Sequence, residues 1–124
     1  MAGLRAWVEA RLNDDGIPVT ELAILVRRGG DVSGVCDALA IPEIQVIPMH
    51  DAKGAEYRAV AVVRLNDGVL PDETRLMAAK DEAQLDEVMN TERHLLYVAA
   101  TRARDHLWMS GVDPVSEFLM DILQ

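Results

Sequence analysis

Apolar residues recur at two different periods along this chain, and the alternation of those periods predicts its layout. Leu4, Trp7, Val8 and Leu12, with Ala6 and Ala10, share helical spacing, and Asn13-Asp14-Asp15-Gly16 ends that helix. Leu22-Ala23-Ile24-Leu25-Val26 is a continuous apolar run bounded by turn residues, the pattern of a strand buried on both faces. Arg28-Gly29-Gly30-Asp31 predicts a turn, with Asp31 as N-cap of a helix through Leu39. Ile44 to Met49 and Ala59 to Val63 predict further buried strands, and Leu107 to Met109 a fourth. Ahead of the fourth, Glu92 to Arg104 predicts a helix ending in arginines. Pro114 to Leu123 predicts a last one, with apolar residues at 115, 118, 119, 122 and 123. Strands alternating with helices imply an α/β domain: a mainly parallel sheet, right-handed crossovers, and helices on both faces. The stretch from Asp67 to Gln84 predicts an exposed acidic loop with loose helix.

Composition narrows this picture without changing it. With 124 residues, half of them hydrophobic, residues 1–124 suffice for a single domain. The apolar stretches are far too short to cross a bilayer, and no signal peptide precedes the first helix, so no membrane partner is expected. A lone cysteine, Cys36, excludes an internal disulfide, fits the cytoplasm, and predicts plain packing in the helix that holds Leu39. The formal charge of −9 argues against a general nucleic-acid surface. Much of the acid is local, however, at Asp67, Asp72, Glu73, Asp81, Glu82, Asp86 and Glu87, whereas arginines gather at Arg27-Arg28 and from Arg93 to Arg104.

On a helical wheel Val88, Leu95, Leu96, Val98, Ala99 and Ala103 share one apolar arc, with Arg93, Tyr97, Thr101 and Arg104 opposite. Leu95, Leu96, Val98 and Ala99 are expected in the core, Tyr97 at its edge in preference to stacking on a partner, and Arg93 and Arg104 in solvent. Arg102 falls on the bearing of Leu95, inside the apolar arc. A guanidinium there needs an anion, since an unpaired buried charge costs several kcal/mol. Two anions are open to it: a carboxylate of its own fold, or a phosphoryl group brought by a partner, as for an arginine finger.

His50-Asp51-Ala52-Lys53-Gly54-Ala55-Glu56-Tyr57 follows a strand and places a cation, a glycine and an acid together. Lys53-Gly54 permits close backbone approach to a phosphate, and Glu56 could accept from ribose hydroxyls. Arg27-Arg28, at another strand end, is either a solvated corner or a grip on phosphate. The sequence has no Gly-x-x-x-x-Gly-Lys-Ser/Thr loop, no metal-ligand spacing among its three histidines and one cysteine, and no serine nucleophile elbow. The isolated chain is therefore expected to hydrolyse nothing and to hold no cofactor.

Two segments resemble motifs of UvrD/Rep-type superfamily 1 DNA helicases. Pro48-Met49-His50-Asp51-Ala52-Lys53-Gly54-Ala55-Glu56-Tyr57 is similar to the family's Thr-x-His-x-x-Lys-Gly-Leu-Glu-Phe, with Pro48 in place of threonine and Ala55 in place of leucine. Glu92-Arg93-His94-Leu95-Leu96-Tyr97-Val98-Ala99-Ala100-Thr101-Arg102-Ala103 is similar to Glu-Arg-Arg-Leu-x-Tyr-Val-x-x-Thr-Arg-Ala. Ala23 to Arg27 resembles the strand ending in an arginine that touches single-stranded DNA, with Gly29 where the family often has a polar amide. Asp67 to Pro71 resembles a short Gly-x-x-Pro segment. The resemblance implies the second, C-terminal RecA-like domain, a three-layer fold related to P-loop NTPases. It implies Arg102 as the arginine finger and Glu56 as the ribose contact, with Gly54 and Arg102 also lining the ATP site. Arg27, Arg28, His50 and Lys53 would lie on a single-stranded DNA track with 3′ to 5′ movement.

ATP and Mg²⁺ would be held mainly by an N-terminal RecA-like domain of the same parent chain. The large insertion that UvrD and Rep carry between the Arg27 and His50 regions is replaced by Pro42 to Ile47. The alternative is a degenerate helicase-like domain that acts as a protein-interaction module without catalysis.

Overall fold

The computed structural model describes residues 2–111 and 114–123. In chain order it has α1 (Ala2–Asn13), β1 (Leu22–Val26), α2 (Val32–Leu39), β2 (Gln45–Pro48), β3 (Tyr57–Val62), α3 (Glu73–Ala78), α4 (Glu82–Ala100), β4 (Ala103–Met109) and α5 (Glu117–Leu123). Short 3-10 turns stand at Val19–Glu21, Gly29–Asp31 and Met49–Ala52. The strands form one sheet in the order β2-β1-β3-β4, and each pairing is parallel.

The sheet is covered on both faces, which explains why its central strands lack polar alternation. Every residue of β1 is buried, as is β3 from Ala59 to Val62. One face carries Leu22, Ile24, Val26, Ala59 and Ala61 against Leu4 and Val8 of α1 and Val35 and Leu39 of α2. The other carries Ala23, Leu25, Val60 and Val62 against Leu96 and Ala99 of α4 and Phe118 and Leu119 of α5. Cys36 packs against the first of these clusters, as its helix position predicts. This is the three-layer α/β architecture expected from the sequence. Among the described residues, no helix is long and apolar enough to cross a membrane.

Several local expectations are corrected. Asp31 precedes α2 but makes no capping bond, because its carboxylate takes Arg64 at 3.2 Å instead. The stretch from Asp67 to Gln84 is more ordered than a loose loop. Leu70 and Pro71 are buried, α3 follows, and Asp81 caps α4 by accepting from the Gln84 amide at 2.8 Å. The arginine-tipped helix stops early: α4 ends at Ala100, Thr101 and Arg102 form a turn, and Ala103 and Arg104 belong to β4. Strand pairing wins there, since Ala103 sits opposite Tyr57 in the sheet. Tyr97 does not edge the core but is 65% exposed and stacks on His94 at 6.3 Å. In α5, Phe118 and Leu119 are buried as expected, whereas the predicted apolar positions Ile122 and Leu123 lie outside the described side chains.

Candidate functional site

Strand direction divides the candidate residues between two opposite edges of the sheet. Arg27 and Arg28 follow β1, at the carboxyl edge. Glu56 and Arg102 are the residues just before β3 and β4, at the amino edge. The segment from Met49 to Glu56 joins the edges: it leaves the end of β2, which is level with Val26, and enters β3, whose Ala59 lies opposite Leu22. Its buried residues, Met49 and Ala52, pack into the core beneath α4, and this alternation leaves His50, Asp51, Lys53 and Gly54 exposed. His50 stands 3.6 Å from Asp51. Gly54 turns the chain with φ +83°, a conformation that suits glycine because it has no Cβ.

At the amino edge the geometry ties the two motifs together. The Tyr57 amide donates to the Arg102 carbonyl at 2.9 Å. The Arg102 guanidinium folds back and donates to three neutral acceptors: Val98 O at 3.1 Å, Ala55 O at 3.2 Å and Thr101 Oγ1 at 3.3 Å. No carboxylate meets it among the described residues. Arg102 is half-buried, so its positive charge is oriented by dipoles, with no counter-ion among the described residues. Glu56, beside it in the sheet, is exposed and only loosely paired, 3.9 Å from Arg104. Among the described residues, no carboxylate of its own fold bonds to Arg102.

The carboxyl edge shows the opposite situation. Arg27 is clamped by Glu92 through paired bonds, Nε to Oε1 at 3.0 Å and Nη2 to Oε2 at 2.9 Å. Arg75 adds a third bond to Glu92 at 2.8 Å, and the Asp72 amide a fourth at 2.7 Å. Arg28 donates to Gly68 O at 2.9 Å and to Asp72 at 3.1 Å, and remains 43% exposed. Glu92 itself is fully buried. Burial raises its pKa. The bonds from Arg27 and the Asp72 amide, with the charges of Arg27 and Arg75, outweigh that effect and hold the carboxyl below its ordinary value.

Glu92 is the buried charge that the helical wheel did not single out. The signal was available, since Glu92 lies three, four and seven residues before Leu95, Leu96 and Ala99, on the apolar arc. A carboxylate on that bearing demands cations just as an arginine demands anions. The acidic stretch and the arginines are also not separate provinces. They meet at Asp72, which pairs with Arg28 at 3.1 Å and stands 3.9 Å from Arg27.

Comparison with known proteins gives the chain relatives over most of its length. Residues 15–113 match the family described as UvrD-like helicase C-terminal domain. Across 93% of its length the chain is 33% identical to the ATP-dependent DNA helicase UvrD1 of Mycobacterium tuberculosis, covering 16% of that protein. Across 54% it is 44% identical to the putative ATP-dependent DNA helicase YjcD of Bacillus subtilis, covering 9% of that protein. Its fold resembles the crystal structure of the C-terminal domain of a possible DNA helicase from Lactobacillus plantarum. The TM-score is 0.61 at 21% identity, over 92% of this chain and 68% of that one. The chain thus spans a small fraction of the curated relatives' length.

Proposed function

Because the chain belongs to the UvrD-like helicase C-terminal domain family, we propose that it is the second motor domain of an ATP-dependent 3′ to 5′ DNA helicase. One observation carries this reading: Arg102 is held half-buried by three neutral acceptors and, among the described residues, bonds to no carboxylate, while the exposed acid Glu56 stands at the same edge. A cation arranged in that way is preorganised for an anion that arrives from outside the domain. The ATP and Mg²⁺ that the family implies would be bound chiefly by an N-terminal RecA-like domain and would supply the transferable phosphoryl group. The residues present here fit the remaining part of such a site.

In that arrangement Glu56 accepts from the ribose hydroxyls, and Gly54 lets the backbone turn beside them. Arg102 places its guanidinium against the phosphoryl oxygens, where it offsets the charge that builds up in the transition state. Arg28, His50 and Lys53 follow the backbone of single-stranded DNA as exposed cations or polar groups, and make no base contacts. Arg27 joins that track through the one guanidinium nitrogen that Glu92 does not engage, Nη1. Opening and closing of the cleft between the two domains then moves them along the strand.

The ribose assignment has its own test in the parent protein. Glu56→Ala should raise the KM for ATP about tenfold, the worth of hydrogen bonds to a charged acceptor, with kcat nearly unchanged. The variant should also lose the parent's preference for ATP over an analogue lacking both ribose hydroxyls. An intact preference would remove Glu56 from the ribose.

A further inference from the structure

The connections out of the central strands leave in opposite directions: β1 leads to β2 on one side, and β3 leads to β4 on the other. In open parallel sheets the crevice outside the carboxyl ends of such a strand pair is the usual ligand position. The nucleotide site proposed above lies at the other edge, so this crevice is unused by it. It is a half-open cavity of about 440 Å³ whose walls include Arg28, Asp31, Arg64, Asn66, Trp108 and Ser110. That volume falls within the range of small-molecule sites.

Three features make the cavity more than a surface fold. Arg28 follows β1 and Arg64 follows β3, so the two adjacent strands each contribute a guanidinium. Each is held by one carboxylate through a single nitrogen, Arg28 by Asp72 at 3.1 Å and Arg64 by Asp31 at 3.2 Å, so both keep N–H donors for a phosphate. Arg64 adopts a left-handed conformation with φ 58°, which costs an L-residue with a Cβ about 1–2 kcal/mol. Its guanidinium occupies the space left by Gly34, where a Cβ would come within 3.1 Å of Nη2. Another part of the wall is the Trp108 indole, whose buried Nε1–H has no acceptor among the described residues. Cations beside a flat aromatic surface form the combination that recognises a phosphate and its base together.

We propose that this crevice binds one nucleotide unit, with its phosphate between Arg28 and Arg64 and its base against Trp108. The source of that unit is single-stranded DNA or a free nucleotide; the first rests on the DNA track proposed above, and the second does not. Asp31 then accepts from a base N–H, which thymine supplies at N3.

The chain has two tryptophans, so the Trp7→Phe variant leaves Trp108 as sole reporter. In that background oligothymidylate and thymidine monophosphate are titrated while indole emission is followed, with anisotropy of a labelled oligonucleotide measured in parallel. Quenching by oligothymidylate is expected, with affinity about tenfold weaker in Arg64→Gln and quenching weakened in Val69→Phe, which puts a ring into the cavity wall and removes no polar group. Circular dichroism checks both folds, and Val69→Phe keeps the test open if Arg64→Gln unfolds. Quenching by the monophosphate as well assigns the site to free nucleotides; quenching by the oligonucleotide alone assigns it to the strand. Oligonucleotide binding with no quenching and no effect of either variant overturns the site and leaves the track standing. Monophosphate quenching without oligonucleotide binding does the reverse.

Discussion

Replacing Arg102 by alanine in the parent helicase should lower ATP turnover about a thousandfold or more while leaving nucleotide affinity nearly intact. The size follows from the role. An arginine that meets charge developing on a transferring phosphoryl group contributes on the order of 10³–10⁵ in rate, because it acts on the transition state more than on bound ATP. The loss should therefore fall on kcat and kcat/KM together. Stability should change little, since among the described residues the side chain closes no ion pair and bonds to Val98, Ala55 and Thr101. Arg102→Lys should recover only part of the rate, because an ammonium lacks the planar fork that the three acceptors now orient. Steady-state kinetics with a parallel thermal melt checks both halves. Near-normal turnover would take Arg102 out of the mechanism.

The second large effect is on folding. Glu92 is fully buried and receives bonds from Arg27, Arg75 and the Asp72 amide. Truncating it to alanine leaves Arg27, itself only 12% exposed, without its main anion; Asp72 is 3.9 Å away. Removing one partner of a buried pair costs about 3–5 kcal/mol, a large fraction of the stability of a domain this size. Glu92→Gln keeps the shape and part of the bonding, and should lose less. The same network predicts a pH dependence. Its sign follows from the direction of the shift: a carboxyl held below its ordinary 4.5 stabilises the fold fully above that value. That contribution falls away as acid protonates Glu92 at lower pH. Denaturant melts at neutral pH and at progressively lower pH should converge for wild type and Glu92→Gln. Parallel curves would show that Glu92's charge is not the source.

The sequence made the sheet legible because its central strands are buried on both faces and so appear as unbroken apolar runs. Leu22 to Val26 is the clearest case. Helix α4 was legible for its apolar arc and misjudged at its end, because the wheel continues a helix past the point where β-pairing interrupts it. Arg102 therefore owes its partial burial to a turn beside β3 and not to the arc. Its placement near Glu56 could not be read from spacing, since the two are 46 residues apart in sequence and meet only through the parallel pairing of β3 and β4. The partners of Glu92 come from β1, α3 and the turn before it, a convergence that no local pattern encodes. Tyr97 was misplaced for a simpler reason: an amphipathic aromatic on the polar side of a helix can stack on His94 and stay in solvent.

The most direct measurement is a structure of the parent protein with a non-hydrolysable ATP analogue and single-stranded DNA. The account predicts that the Arg102 guanidinium leaves the Ala55 carbonyl and lies within hydrogen-bond distance of the terminal phosphate, with Glu56 at the ribose. Arg102 still folded onto Ala55 and Val98, with another cation at that phosphate, would contradict it.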